Sequence, residues 1–150
     1  MIRFKEEAME QMVEDAVNTF PEECCGFLFG TEQGEERTIS RIFIVNNAKE
    51  GDRRRRFIIS PQDYMRAEAL ADGNDLQLLG IYHSHPNHPA IASEHDRVAA
   101  QPYFSYVIIS VMDREPADIR SWQLNDELQF EEETVDHSLT TQIKSIQWQQ

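Results

Sequence analysis

The sequence Gly80-Ile81-Tyr82-His83-Ser84-His85-Pro86 carries the strongest structural signal in this chain. It continues an apolar run that begins at Leu76, and Pro86 interrupts the regular structure that carries the histidines. Because side chains alternate along a strand, His83 and His85 point to the same face of a sheet. The pattern therefore predicts a strand over residues 77–85 that presents two imidazoles together at its end.

A carboxylate follows after a loop, in the sequence Ser93-Glu94-His95-Asp96. Two imidazoles and one carboxylate supply three of the four ligands of a catalytic zinc, whose fourth position is held by water. A competing interpretation is that the histidines only pack or form hydrogen bonds, while Ser93 and Asp96 have the spacing of a helix capping box. One Asp96 carboxylate cannot serve both tasks fully. His88 is expected to be a solvated loop residue, and His95 is expected to face away from Asp96.

Two segments far apart in the chain share the pattern of one known family. The first is His83-Ser84-His85-Pro86 followed by Ser93 and Asp96, and the second is Pro21-Glu22-Glu23-Cys24-Cys25-Gly26. Together they resemble the JAMM (MPN-plus) metalloprotease family, whose small bacterial and archaeal members carry a Pro-x-Glu-x-Cys-Gly segment. The resemblance covers about residues 6–124. It implies an α+β fold of the JAMM/MPN type, similar to cytidine deaminases, in which helices flank a partly rolled mixed sheet.

The resemblance also implies a role for each residue of a candidate site. It assigns one Zn²⁺ to His83, His85 and Asp96, a general base to Glu23, and a hydrogen bond to the developing oxyanion to Ser93. Glu22 and Glu23 are adjacent, so on a strand only one of them can face the metal. The position within the Pro-x-Glu pattern selects Glu23.

The substrate implied by the resemblance is a ubiquitin-like protein. Members of the family hydrolyse the amide or isopeptide bond after a C-terminal Gly-Gly, and glycines let a backbone pass close to a metal. The eukaryotic members that are selective for ubiquitin chains carry long inserted segments, and this compact sequence lacks such segments. A ThiS/MoaD-type sulfur carrier is therefore the expected partner, and the released group is an amino acid, a peptide or a protein lysine.

Two other functions compete with a zinc peptidase. MPN relatives that have lost ligands act as metal-free interaction modules, but this chain retains the whole His-x-His and Asp set. Zinc deaminases require His-x-Glu with a later Pro-Cys-x-x-Cys, and the sequence contains neither pattern.

Length and charge set the outer limits of the interpretation. The 150 residues suit one domain, placed at residues 1–136, with a tail at 137–150. A formal net charge of −13 disfavours nucleic acid as a partner. The sequence has no apolar run long enough to span a bilayer and no leader pattern, which predicts a cytoplasmic protein.

Two short clusters interrupt this acidic composition. Arg53-Arg54-Arg55-Arg56 is either a solvated loop or a surface that meets carboxylates. Cys24 and Cys25 are adjacent and cannot join distant segments, and on a strand they should point to opposite faces. We expect one to be a small buried residue and the other to be inert, and the alternatives are a nucleophile or a zinc thiolate.

Periodicity and turn residues predict the remaining elements. Helices are predicted over residues 4–20, 61–71 and 93–101. Strands are predicted over residues 25–29, 37–45, 57–59, 77–85, 106–112, 119–124 and 128–130, the last extending at most to residue 135. A short helix within the tail 137–150 would complete the chain.

Overall fold

The computed structural model describes residues 1–136, and the predicted tail at 137–150 lies outside the described residues. Seven strands and three helices follow one another as β1 (Ile2–Phe4), α1 (Glu6–Thr19), β2 (Cys25–Gln33), β3 (Glu36–Val45), α2 (Pro61–Gly73), β4 (Gln77–Pro86), α3 (Glu94–Ala99), β5 (Ser105–Met112), β6 (Glu115–Leu124) and β7 (Phe130–Glu133). The predicted α+β class is confirmed.

All seven strands form one mixed sheet, in the order β1-β3-β2-β4-β5-β6-β7. The pairs β1–β3 and β4–β5 are parallel, and the other neighbours are antiparallel. An isolated bridge joins Ile2 of one edge strand to Val135, just beyond the other edge. The Ile2 amide donates to the Thr134 carbonyl at 3.0 Å, so the two edges meet and the sheet is rolled.

The two faces of this sheet carry separate apolar clusters. Helix α1 is amphipathic and buries its apolar side, including Met9 and Met12, against one face together with Tyr82. Helix α2 packs through Ala67 and Ala71 on the opposite face, beside Phe27 and the strand that carries the histidines. The region around the histidines is therefore on the α2 side of the sheet.

The starts of the longer elements follow local sequence signals. Ser60 caps α2, because its Oγ accepts the Asp63 amide at 3.1 Å, and Pro61 occupies the first turn. The hairpin between β5 and β6 turns at Asp113 and Arg114, whose φ angles are 49° and 71°. This two-residue turn explains why β6 begins at Glu115, earlier than predicted.

Several predicted elements need correction. The strand predicted over residues 57–59 is wrong, because this segment does not join the sheet. The Ala48 amide donates to the Ile58 carbonyl at 2.8 Å, and the Ile58 amide donates to Asn47 Oδ1 at 3.0 Å. Strand β1 was not predicted, since three residues give too little periodicity, and Phe4 therefore precedes α1. Helix α3 ends at Ala99, two residues early. Leu128 has a φ of 60° and belongs to the turn, so β7 starts at Phe130.

Among residues 1–136, no helix combines the length and apolar character needed to cross a membrane.

Candidate metal centre

Strand register brings Glu23 to the histidines although sixty residues separate them in the sequence. Strands β2 and β4 are antiparallel, with Cys25 opposite His83 and Gly26 opposite Tyr82. Continuing this register by two residues places Glu23 opposite His85. Directly opposed residues share a face, and so do residues two apart, so Glu23, His83 and His85 all project to the α2 side. One ligand atom from each of these three lies within 4.8 Å of the others.

Asp96 completes the cluster from the first turn of α3. Its Oδ1 lies 3.4 Å from His83 Nε2, and its Oδ2 lies 3.2 Å from His85 Nε2. The two Nε2 atoms are 3.2 Å apart. In a tetrahedral zinc site, bonds of about 2.0–2.1 Å place neighbouring ligand atoms about 3.3 Å apart. The donor types and their mutual distances therefore fit a zinc ion.

The capping box and the cluster share Asp96, which resolves the competition expected from the sequence. Ser93 Oγ accepts the Asp96 amide at 3.0 Å, and Asp96 Oδ2 accepts the Ser93 amide at 2.9 Å. The cap fixes the rotation of the Asp96 carboxylate while leaving both oxygens directed at the imidazoles. The local start of α3 is thus what points Asp96 into the site.

The surroundings of the two imidazoles differ. His85 Nδ1 lies 2.8 Å from the Pro89 carbonyl, which can only accept, so Nδ1 carries a proton and neutral His85 presents the Nε2 lone pair to the cluster. The His83 ring stacks on Phe57 at a centroid distance of 4.5 Å. His83 Nδ1 is buried and has no hydrogen-bond partner within residues 1–136.

Burial and mutual charge perturb each titratable group of the cluster. Burial raises the pKa of Glu23 to about 8, against the lowering effect of His85. Burial lowers the pKa of His83 and favours its neutral, metal-binding form. Burial opposes ionisation of Asp96 as well, but contact with the two imidazoles holds its pKa well below the ordinary value. Burial also lowers the pKa of His85, yet its hydrogen bond with Asp96 makes the net shift upward.

A cleft of about 570 Å³ opens onto the cluster. Glu23, His85, Ser93 and Asp96 line it, so the structure brings all five predicted site residues together, with His83 buried behind them. Its other walls are Arg54, Arg55, Pro86, His88, Pro89 and Ile91. His88 and His95 are exposed, as expected for residues outside the cluster.

Two residues that the sequence did not single out hold Glu23 in place. Ser84 Oγ accepts the Cys24 amide at 2.9 Å, and the Ser84 amide donates to the Cys24 carbonyl at 3.2 Å. On the other side, Asn47 Nδ2 donates to the Glu23 carbonyl at 3.3 Å. Glu22 is exposed, whereas Glu23 is only 4% exposed. The position of Ser84 between the histidines was a usable signal, but nothing in the sequence indicates Asn47.

The adjacent cysteines point to opposite faces as predicted, and both are buried. Cys24 packs in the cluster under α1, and Cys25 packs in the cluster under α2. Neither belongs to the group of ligand atoms around His83. Burial raises the pKa of Cys25 to about 12 and raises that of Cys24 as well. Both are therefore structural residues.

Curated relatives with assigned names match most of the chain. It is 30% identical over 116 residues to the CysO-cysteine peptidase of Mycobacterium tuberculosis, covering 77% of each protein. It is 28% identical over 110 residues to the desampylase of Pyrococcus furiosus, covering 73% of this chain and 72% of that protein. Both names describe hydrolases.

Solved structures share the fold over nearly the whole chain. A protein from Desulfitobacterium hafniense matches with a TM-score of 0.79 and 30% identity, over 91% of this chain and 92% of that one. A JAB1/MPN domain protein from Archaeoglobus fulgidus matches with a TM-score of 0.57 and 13% identity, over 91% and 95% of the two chains. This second likeness concerns the fold alone, and it agrees with the predicted JAMM/MPN type.

The family described as prokaryotic homologs of the JAB domain matches residues 5–125, a span that contains every residue of the cluster. The chain therefore belongs to the prokaryotic JAB-domain family.

Proposed function

We propose that this protein is a zinc-dependent peptidase or isopeptidase, contained in a single cytoplasmic domain of residues 1–136. Its substrate is the amide bond after the C-terminal Gly-Gly of a ubiquitin-like protein of the ThiS/MoaD sulfur-carrier type. The observation that carries the proposal is the convergence of His83, His85 and Asp96 at mutual distances of 3.2–3.4 Å, with Glu23 beside them.

His83, His85 and Asp96 are the residues proposed to hold one zinc ion per chain. The carboxylates of Glu23 and Asp96 both lie beside the imidazoles, but only that of Asp96 contacts both Nε2 atoms directly. The described part of the chain gives the Glu23 carboxylate no hydrogen-bond donor, and this carboxylate lines the open cleft. Asp96 is therefore assigned as the third ligand and Glu23 as the catalytic base. Bound zinc supplies a Lewis acid that polarises a carbonyl and lowers the pKa of a coordinated water from 15.7 to about 7.

Glu23 moves the proton in the proposed reaction. Its carboxylate accepts a proton from the attacking water and then donates it to the leaving amine nitrogen. Burial raises the pKa of Glu23 to about 8, and a cation in the site would lower it again toward neutrality. A group that titrates near the working pH can perform both transfers.

Ser93 is proposed to stabilise the developing oxyanion. Its Oγ already accepts the Asp96 amide, so the hydroxyl proton is free to be donated into the cleft. Contacts of this kind are worth about 2.7–4 kcal/mol in other hydrolases.

The relatives support the substrate class. One is named for a peptide bond between CysO and cysteine, and the other is named as a desampylase. An open cleft beside the cluster suits an extended C-terminal tail, and two glycines would let that tail approach the site closely.

The proposal is tested by incubating the zinc-loaded protein with sulfur carriers that bear a C-terminal extension after Gly-Gly. Mass spectrometry identifies the bond that is cut. We expect cleavage after the second glycine, sensitivity to a chelator, and a loss of at least about 100-fold in kcat for Glu23→Gln.

Glu22→Gln is the matched control, because it removes the neighbouring, exposed carboxylate and should leave the rate unchanged. Cleavage by Glu23→Gln at the wild-type rate would contradict the proposed base. A protein that binds a carrier without cutting any extension would instead be an interaction module.

A further inference from the structure

Arg54 and Arg55 line the same cleft as Glu23, His85 and Asp96. They belong to the one run of four cations in a chain whose formal net charge is −13. Their place beside the cluster could not be read from the sequence, which puts them between β3 and α2. The chemistry proposed for the cluster does not explain why two arginines line this cleft.

The loop that carries the two arginines is tied to the strand end that carries Glu23. The Glu23 amide donates to the Arg53 carbonyl at 2.7 Å. Asn47 Nδ2 donates both to the Glu23 carbonyl at 3.3 Å and to the Arg56 carbonyl at 3.0 Å. Arg53 Nε also donates to the Lys49 carbonyl at 2.9 Å. These bonds hold the residues on either side of Arg54 and Arg55 in place relative to Glu23. The two arginines are therefore positioned together with the proposed base.

Several other arginines of the described chain bind carboxylates of the protein itself. Arg37 pairs with Glu32, Arg97 with Glu94, and Arg120 with Asp118. Within residues 1–136, neither the Arg54 nor the Arg55 guanidinium has such a partner. Guanidinium groups bind carboxylates in a two-pronged geometry, and two of them side by side favour an anionic ligand.

We propose that Arg54 and Arg55 bind the α-carboxylate of the leaving group, which makes the protein selective for carriers extended by a single C-terminal residue. This inference rests on the proposed function. In the reaction, the carbon–nitrogen bond after Gly-Gly breaks, water adds its oxygen to the carbonyl carbon, and its protons go to the new carboxyl and amine groups. The amine leaves as a free amino acid whose carboxylate is one carbon away from the nitrogen. A single-residue leaving group places its α-carboxylate close to the scissile bond whatever its side chain, in a cleft of about 570 Å³ that Arg54 and Arg55 line.

The test compares two carrier fusions that differ by a single group. Both carry one alanine after Gly-Gly, and one ends in the free acid while the other ends in the amide. For the wild type we expect kcat/KM for the acid to exceed that for the amide by at least about tenfold, a typical effect for a charge-assisted contact. Arg54→Gln and Arg55→Gln should lower this ratio toward one while cleavage of the amide continues. Arg56→Gln removes an equal charge outside the cleft and should keep the wild-type ratio.

A binding measurement makes the result independent of turnover. Fluorescently labelled Gly-Gly-Ala acid and amide peptides are titrated into zinc-loaded Glu23→Gln protein, with and without Arg54→Gln. The acid should bind about tenfold more tightly only when Arg54 is present. A preference for the acid that survives in the Arg54→Gln protein would show that another group binds the carboxylate, and it would overturn the proposal.

Three further results would also overturn the inference. Equal use of acid and amide by the wild type would exclude recognition of the carboxylate while leaving the proposed peptidase function intact. An equal loss on both fusions in Arg54→Gln and Arg55→Gln would place the arginines against the body of the carrier. Absence of cleavage of either fusion by the wild type, together with equal binding of the two peptides, would refute the proposed function and the inference together.

Discussion

Ser84→Ala tests whether the residue between the two histidines positions the base. Its Oγ accepts the buried Cys24 amide at 2.9 Å, and no other acceptor for that amide is present in the described chain. Leaving one buried amide unpaired costs about 1–3 kcal/mol, which a domain with 5–15 kcal/mol of stability survives. Cys24 directly follows Glu23, so its release should displace the carboxylate from its place beside His85. Misplacement of a reacting group by about 1 Å costs about 100-fold.

We therefore expect Ser84→Ala to lower the free energy of unfolding by about 1–3 kcal/mol and kcat by about 10- to 100-fold, with zinc content unchanged. Urea unfolding, elemental analysis and cleavage of a carrier fusion measure the three quantities. Ser121→Ala is the control, since its buried Oγ donates to Glu133 at 2.7 Å, away from the cluster. It should lose similar stability and keep its activity. Equal kcat values in the two variants would refute the positioning role of Ser84.

Three other perturbations have definite expected results. Ser93→Ala removes the cap of α3 and should cost about 1 kcal/mol in urea unfolding as well as lowering kcat, and unchanged stability would contradict the cap. Gly80→Ala should lower the free energy of unfolding by more than about 2 kcal/mol, because a Cβ there would lie 2.1 Å from the Ser105 carbonyl oxygen. A urea unfolding midpoint equal to that of the wild type would argue against this contact. The Cys24 and Cys25 thiols should resist Ellman's reagent at pH 8 until urea unfolds the protein, because burial raises both pKa values, that of Cys25 to about 12, and keeps the thiolate fraction low. Rapid labelling of the folded protein would show that the thiols are accessible.

The parts of the fold that the sequence predicts are those with strong local signals. The period of α1, the Ser60-Pro61 start of α2 and the apolar run before His83 each specify one element. Strand β1 was not predicted, and the segment at 57–59 was wrongly predicted as a strand, because the conformation of each depends on distant partners. Ile2 to Phe4 form a strand only through pairing with β3. Phe57 instead leaves the sheet and packs on His83.

The candidate site divides in the same way. The spacing of His83 and His85 predicts a shared face, and the capping signal at Ser93 predicts that Asp96 lies in the first turn of a helix. The assignment of Glu23 to the site rested on a family resemblance, because the register between β2 and β4 cannot be predicted from the sequence of either strand alone. Asn47 and the Pro89 carbonyl act through hydrogen bonds across loops, and no sequence period reports such contacts.

Zinc content after exhaustive dialysis tests the central assignment most directly, because it separates the two carboxylates. Wild type and Glu23→Gln should each retain one zinc per chain, while His85→Ala and Asp96→Ala should retain none. This result would establish Asp96 as a ligand and keep Glu23 free to act as the base. Zinc lost from Glu23→Gln but kept by Asp96→Ala would reverse the two roles, and no zinc in the wild type would contradict the metal centre itself.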